Sequence, residues 1–263
     1  MEPRISLRGG AFRYDKRDIF SDLDLDVHPG EVLCILGPNG CGKTTLLRCL
    51  SGALKLGKGT VWLEGVDIST LNVVELAKRI GFLFQEHTTS FPFSVLEVVR
   101  MGRAPYLGLF GSPSETDTEL ALAALERVGM LPIKNKPYTQ ISGGERQLVL
   151  LARTLAQEPE VILFDEPTSH LDFRNQALSL EMIRKLSKNQ ISMIMTTHNP
   201  NHALLLPDKV ALMKSGKFVA IGKSSEVITE DNLREIYGIE VRVFTVSDPQ
   251  GGGTLKLCSP WFR

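Results

Sequence analysis

Two tryptophans, four tyrosines and four cysteines are all that 263 residues hold of these types. The cysteines (Cys34, Cys41, Cys49 and Cys258) form no C-x-x-C pair, and no histidine stands at metal-ligand spacing to them. That speaks against a zinc ribbon or a dithiol redox site, and a chain of this length needs no disulfide framework. Cys34 is expected in the core, Cys41 in a loop and Cys49 in helix packing, all in a reducing cytosol. Net charge is equally missing, because 30 Lys and Arg balance 30 Asp and Glu. No overall field draws nucleic acid, and none is expected as a partner. No apolar run reaches the length of a membrane span. The first residues, MEPRISLRGG, lack the basic-then-apolar pattern of a secretory leader. Work at a membrane would therefore require docking onto something that crosses it. What is present is an ordinary globular mix, 43% hydrophobic and 23% charged, enough for one large domain.

The stretch around which the chain is organised is Gly37 to Thr45, GPNGCGKTT. It follows a short apolar run, VLCIL, and leads into an apolar-rich segment. Strand, glycine-rich loop and helix in that order turn G-x-x-x-x-G-K-[ST] into a phosphate-binding loop. Gly37, Gly40 and Gly42 let backbone N–H groups curl around an anion. The following helix points its positive end at the same place. Lys43 adds a charge for the β- and γ-phosphates, and Thr44 a hydroxyl for Mg²⁺.

Around this loop the chain reads as α/β. Ile5 to Leu7 and Ala11 to Tyr14 read as short strands broken at Gly9-Gly10. Phe20 to Val27 alternates apolar and polar, a strand with one wet face. An antiparallel front end thus precedes a parallel core. Ile80 to Phe84 is a strand ending on Gln85, and from about His87 to Gln140 the pattern becomes an inserted helical subdomain. Within it, Ser94 to Gly102 and Glu115 to Val128 are helix candidates. A helix from Glu145 to about Gln157 follows, then the buried strand Val161 to Phe164, which delivers Asp165 and Glu166 to its C-terminal end. Phe173 to Lys188 is helical, Ile191 to Thr196 a strand with His198 at its tip, and Lys209 to Met213 with Phe218 to Ile221 a hairpin. One domain is expected over 1–246. Gly251 to Gly253 suggests a loose tail over 247–263.

Two acids after VILF suit a nucleotide hydrolase: one carboxylate holds Mg²⁺, and the next residue polarises the attacking water. Alone, such a pair could simply cap a helix. The more specific signal is ISGGERQ, Ile141 to Gln147. Ser142, Gly143 and Gly144 precede a helix and form a second anion nest. One nucleotide cannot readily use both nests unless two chains face each other. This order of parts resembles the ATP-binding subunit of an ABC transporter, from about Ile5 to Val246.

The resemblance implies a P-loop (RecA-like) core and assigns roles residue by residue. Tyr14 would stack on adenine. Gly37, Pro38, Asn39, Gly40, Cys41, Gly42, Lys43, Thr44 and Thr45 would form Walker A. Gln85 would contact Mg²⁺ and report on the helical subdomain. Ser142, Gly143 and Gly144 would bind the γ-phosphate of ATP held by a second copy. Asp165 would serve as Walker B and Glu166 as catalytic glutamate. Asp172 would lie at the dimer seam, and His198 would bond the γ-phosphate. His28 and His202 read as ordinary surface or helix residues, and His87 and His170 carry no motif support. Ile141 stands where Leu is usual, and Asn199 where Asp is common.

VVRMGRAP (Val98 to Pro105), GPNGCGKTT and YGIEVRV (Tyr237 to Val243) resemble subunits that power import of iron–siderophore complexes, haem or vitamin B12. Molybdate and related cargo belong to the same group. No long C-terminal regulatory domain, as in sugar importers, is expected. The resemblance implies ATP and Mg²⁺ as ligands and a homodimer on the cytoplasmic face of the cell membrane. It also implies a separate permease and, outside, a substrate-binding protein. A different class, a soluble ABC ATPase of iron–sulfur assembly without a permease, stays open.

Overall fold

The computed structural model describes residues 2–83, 92–108, 111–169, 171–206, 208–247 and 253–262. Strand β1 (Ile5–Tyr14) pairs antiparallel with β2 (Arg17–Val27). β1 is one strand, not the expected two. Its register slips between Leu7 and Gly10, where Gly9 takes φ 57° and donates its N–H to Asp24 Oδ1 at 2.7 Å. The glycines thus make a bulge that the partner strand satisfies. Strand β3 (Val32–Leu36) is buried at every position and leads through the glycine loop into α1 (Lys43–Leu50). Strands β4 (Lys58–Leu63) and β5 (Val66–Asp67) complete a front sheet of order β2-β1-β4-β5.

Helix α2 (Val73–Arg79) opens on an Asn72–Glu75 capping box and runs into β6 (Ile80–Leu83). The helical insert follows. Helix α3 (Val95–Arg100) is shorter than the expected Ser94 to Gly102. From Met101 the chain tightens into 3₁₀ turns through Pro105, which has no N–H to give a longer α-helix. Helix α4 (Glu115–Arg127) starts on a Ser114–Asp117 capping box. Helix α5 (Gly143–Ala156) begins two residues earlier than expected, because Ser142 is its cap.

Strands β7 (Val161–Phe164) and β8 (Ser192–Thr197) flank α6 (Phe173–Ser187). Beyond them lie α7 (Pro200–Leu205), the hairpin β9 (Lys209–Lys214) and β10 (Lys217–Gly222), α8 (Ser224–Val227) and α9 (Glu230–Tyr237). The core sheet has the order β10-β9-β3-β8-β7-β6, parallel except for β10 at its edge. Its inner strands β3 and β7 are apolar on both faces, and β8 is so over Met193 to Met195. Leu33, Ile35, Leu163 and Ile194 pack toward the front sheet. Cys34, Leu36, Phe164 and Met195 pack toward α5 and the insert. A parallel sheet covered on both faces fixes the C-terminal ends of β3, β7 and β8 side by side, where α/β sheets carry their sites.

The insert is latched to this core through Arg103, which is 6% exposed. Its guanidinium bonds Asp117 Oδ1 at 2.9 Å, the Ala156 carbonyl at 2.8 Å and Glu158 Oε2 at 2.8 Å. The Tyr106 ring lies 3.8 Å from Arg103 Cζ, and its hydroxyl donates to the Gln157 carbonyl.

The expected loose tail is partly a strand. β11 (Val241–Ser247) and β12 (Thr254–Pro260) form an antiparallel hairpin. It docks on α7 through Asn201, whose amide exchanges hydrogen bonds with the Cys258 backbone at 3.1 and 2.8 Å.

Candidate active site

The glycine loop is shaped by close approach. A Cβ on Gly37 would stand 2.2 Å from the Met213 carbonyl of β9, so only glycine fits. Gly42 takes φ 110° immediately before α1, which turns the first helical N–H groups into the loop. Lys43, 5% exposed, bonds the Gly37 and Pro38 carbonyls at 2.8 and 3.1 Å and stands 3.5 Å from Glu166 Oε1.

Sheet order brings the acids to it. Asp165, at the end of β7, accepts from Thr44 Oγ1 at 2.9 Å and from Thr196 Oγ1 at 2.9 Å, both on Oδ1. Thr196 is the residue that sequence reasoning passed over. From β8 it also accepts the Glu166 N–H at 3.0 Å. Its signal was its place two residues before His198 at a strand tip. Glu166 takes φ 49°, a left-handed conformation that costs a non-glycine residue about 1–2 kcal/mol. The Thr196 bond and the turn closed by Ser169 N–H to the Glu166 carbonyl hold it there.

The Glu166 carboxylate has three partners. Ser169 Oγ donates to Oε2 at 2.8 Å, His198 Nδ1 lies 2.9 Å from the same oxygen, and Lys43 faces the other. Burial alone would raise its pKa, but the Ser169 hydroxyl, His198 and Lys43 together hold it below the ordinary carboxylate value. Glu166 is therefore a held anion beside a cation. His198 is itself about half exposed, and Tyr237 Oη donates to its carbonyl at 2.8 Å.

A cleft of about 510 Å³ opens at this point, lined by Tyr14, Arg17, Asn39, Lys43, Thr44 and Glu166 among others. Gly40, Gly42 and Thr45 also line it. Gly37, Pro38 and Cys41 shape the loop from behind. The Cys41 thiol is buried, and burial raises its pKa despite nearby Lys43. Tyr14 is 44% exposed at the cleft wall and packs edge-on against Phe12 at 4.8 Å. An aromatic face at one end, a cation and amides in the middle and a carboxylate beyond match a nucleoside polyphosphate. Thr44 and Asp165 offer adjacent hard oxygens, the donor type Mg²⁺ takes.

The second nest lies elsewhere. Ser142 caps α5 in a reciprocal box with Glu145, at 2.8 and 3.3 Å, and Ser142 and Gly143 are exposed. Gly144 packs on Asn175 of α6, which Asp172 caps at 2.8 Å. None of Ser142, Gly143, Gly144 and Asp172 lines the cleft of its own chain. Gln147 Nε2 ties the nest helix to the Pro167 carbonyl, one residue past Glu166. Gln85, His87 and His170 fall outside the described residues. His202 is a helix residue, on α7, but a buried one. It is 7% exposed, between Thr168 and Asn199.

Residues 20–169 match the family model described as ABC transporter. The hemin import ATP-binding protein HmuV of Streptomyces coelicolor is 40% identical over 241 residues, 92% of this chain and 85% of that one. The ferric enterobactin transport ATP-binding protein FepC of Escherichia coli is 35% identical over 93% of this chain and 90% of that one. A solved structure of a metal-chelate type ABC transporter in an inward-facing conformation superposes with TM-score 0.89 at 30% identity. It covers 100% of this chain and 98% of its counterpart. Motif order, sheet topology and these likenesses agree: the chain belongs to the ABC transporter family, as an ATP-binding, ATP-hydrolysing subunit.

Proposed function

We propose that this chain powers an importer for a metal chelate, such as haem or an iron–siderophore, through a separate membrane permease. The observation that carries the reading is the convergence of Lys43, Thr44 and Glu166 at one cleft, with Asp165 bonded to Thr44 and His198 to Glu166. The printed functions of the hemin and enterobactin relatives support the cargo class; cobalamin and oxyanions belong to it by the sequence resemblance.

In this reading Tyr14 stacks on adenine, and the loop amides with Lys43 hold the phosphates. To reach them Lys43 exchanges the Gly37 and Pro38 carbonyls for phosphate oxygens. Thr44, Asp165 and Gln85 would hold Mg²⁺, which when bound supplies charge neutralisation at the phosphates. Glu166 accepts the proton of the attacking water, and His198, already on Glu166, bonds the γ-phosphate. Ser142 to Gly144 of a second copy complete the site, with Asp172 at the seam. Closure on ATP and opening after hydrolysis then drive the permease from the cytoplasmic face of the membrane. Among the described residues no helix is long and apolar enough to cross a membrane, which fits a docked subunit. The single domain over 1–246, with its helical insert, is part of the same proposal.

Affinity capture from native membranes tests this, using the Glu166→Gln chain held with Mg-ATP. A polytopic membrane protein in the eluate is the expected result. A soluble scaffold without any permease would instead make the chain an assembly ATPase.

A further inference from the structure

His202 plays no part in the chemistry above, yet it is buried between the two loops that carry it. Its ring sits on α7, four residues after His198. Nδ1 lies 3.1 Å from Thr168 Oγ1, two residues after Glu166, and Thr168 is 4% exposed. Nε2 lies 3.2 Å from Asn199 Nδ2.

The direction of these bonds follows from Asn199. Its Oδ1 accepts the Asn201 N–H at 3.0 Å as the cap of α7, so its amide nitrogen must be the atom facing His202. An amide nitrogen only donates, so Nε2 is the bare, accepting nitrogen. The proton of the neutral ring then sits on Nδ1 and is donated to Thr168. A second proton on Nε2 would face another N–H.

We infer that His202 is a positioning residue for hydrolysis: its neutral Nδ1–H form ties the loop behind His198 to the turn behind Glu166, keeping that pair aligned. The Thr196 bonds link the two segments on the strand side of the 2.9 Å contact between His198 and Glu166, and the His202–Thr168 tie links them on the far side. Burial first, and then the charge of His198, push the His202 pKa down, in keeping with a neutral ring. Titratable groups also sit on the elements packed against α7: Cys34 on β3, Glu226 on α8, and Lys256 and Cys258 on β12. His198 is the charge that acts on the ring. Asn199 matters here because an aspartate in its place would set a carboxylate against Nε2 and favour the imidazolium.

The inference rests on Glu166 and His198 being catalytic, and two measurements keep the questions apart. The first is ¹⁵N-histidine NMR of the full chain, with the His202 signal identified by its loss in His202→Phe. The expected spectrum is neutral at pH 7 with the proton on Nδ1, and Asn199→Asp should raise the ring's pKa. A ring protonated on Nε2 at pH 7 would overturn the inference. The second is a cycle of Thr168→Val, which keeps shape, and His202→Phe, which keeps ring volume. Each should lower kcat about two- to tenfold, the size of one hydrogen bond, with KM for ATP unchanged. The double variant should be no slower than the slower single one. Additive losses, or a rise in KM with normal kcat, would contradict the tie. Normal turnover of Glu166→Gln would instead remove the catalytic reading and leave the NMR result standing.

Discussion

In the proposed mechanism Glu166 concentrates the chemistry at the scale of single residues. It is an anion held by Ser169, His198 and Lys43 on a left-handed backbone, which fixes the carboxylate's direction at some conformational cost. A glutamine there keeps size and most hydrogen bonds but takes up no proton. Glu166→Gln should therefore bind ATP normally and turn over about 10²–10⁴-fold more slowly, measured by phosphate release. Near-normal release would remove Glu166 from the role. Sequence pointed to Lys43, Thr44, Asp165, Glu166 and His198 because each has a local pattern, and the fold brings these five together. Thr196 and His202 were hidden for a physical reason. Their partners lie 31 and 34 residues away in the chain and meet them only because β7 and β8 are neighbours.

Among the elements, the helical insert is the part whose attachment was least legible. Periodicity showed α4, but not that Arg103, in a Pro-containing turn, would reach both α4 and the end of α5. Asp117 serves two masters, as the reciprocal cap of α4 and as partner of Arg103. The Ser114 hydroxyl and N–H, with help from Arg103, pull its pKa from 3.8 to about 2. A depressed carboxyl stabilises the fold fully above 3.8 and loses that contribution as pH falls toward about 2. In urea titrations Asp117→Asn should be less stable than wild type at pH 5, with the gap narrowing as pH drops through that window. A gap independent of pH would show that the Asp117 charge does not matter. The C-terminal hairpin was missed for a different reason. β12 follows a run of glycines that reads as loose chain, and its anchor, Asn201 on Cys258, joins residues 57 apart. Conversely, β3 (VLCIL) and β7 (VILF) were plain in the sequence, because strands buried on both faces tend to be continuously apolar, and β8 showed through its apolar centre, Met193 to Met195.

For the molecule as a whole, the nest exposes Ser142 and Gly143, with Gly144 buried behind them on Asn175, and none of the three lines its own cleft. A second copy is what would bring it to an ATP, and closure would depend on nucleotide. The Ser142 hydroxyl now caps α5, so a γ-phosphate arriving from a partner would meet a helix end whose amides and positive dipole are already aimed outward. Light scattering on the purified Glu166→Gln chain, with and without Mg-ATP, tests this most directly. The account predicts that Mg-ATP doubles the mass with one nucleotide per chain. Adding Ser142→Arg should abolish the doubling while ATP still binds each monomer. Doubling that survives Ser142→Arg, or ATP binding that is lost with it, would contradict a site shared between two copies.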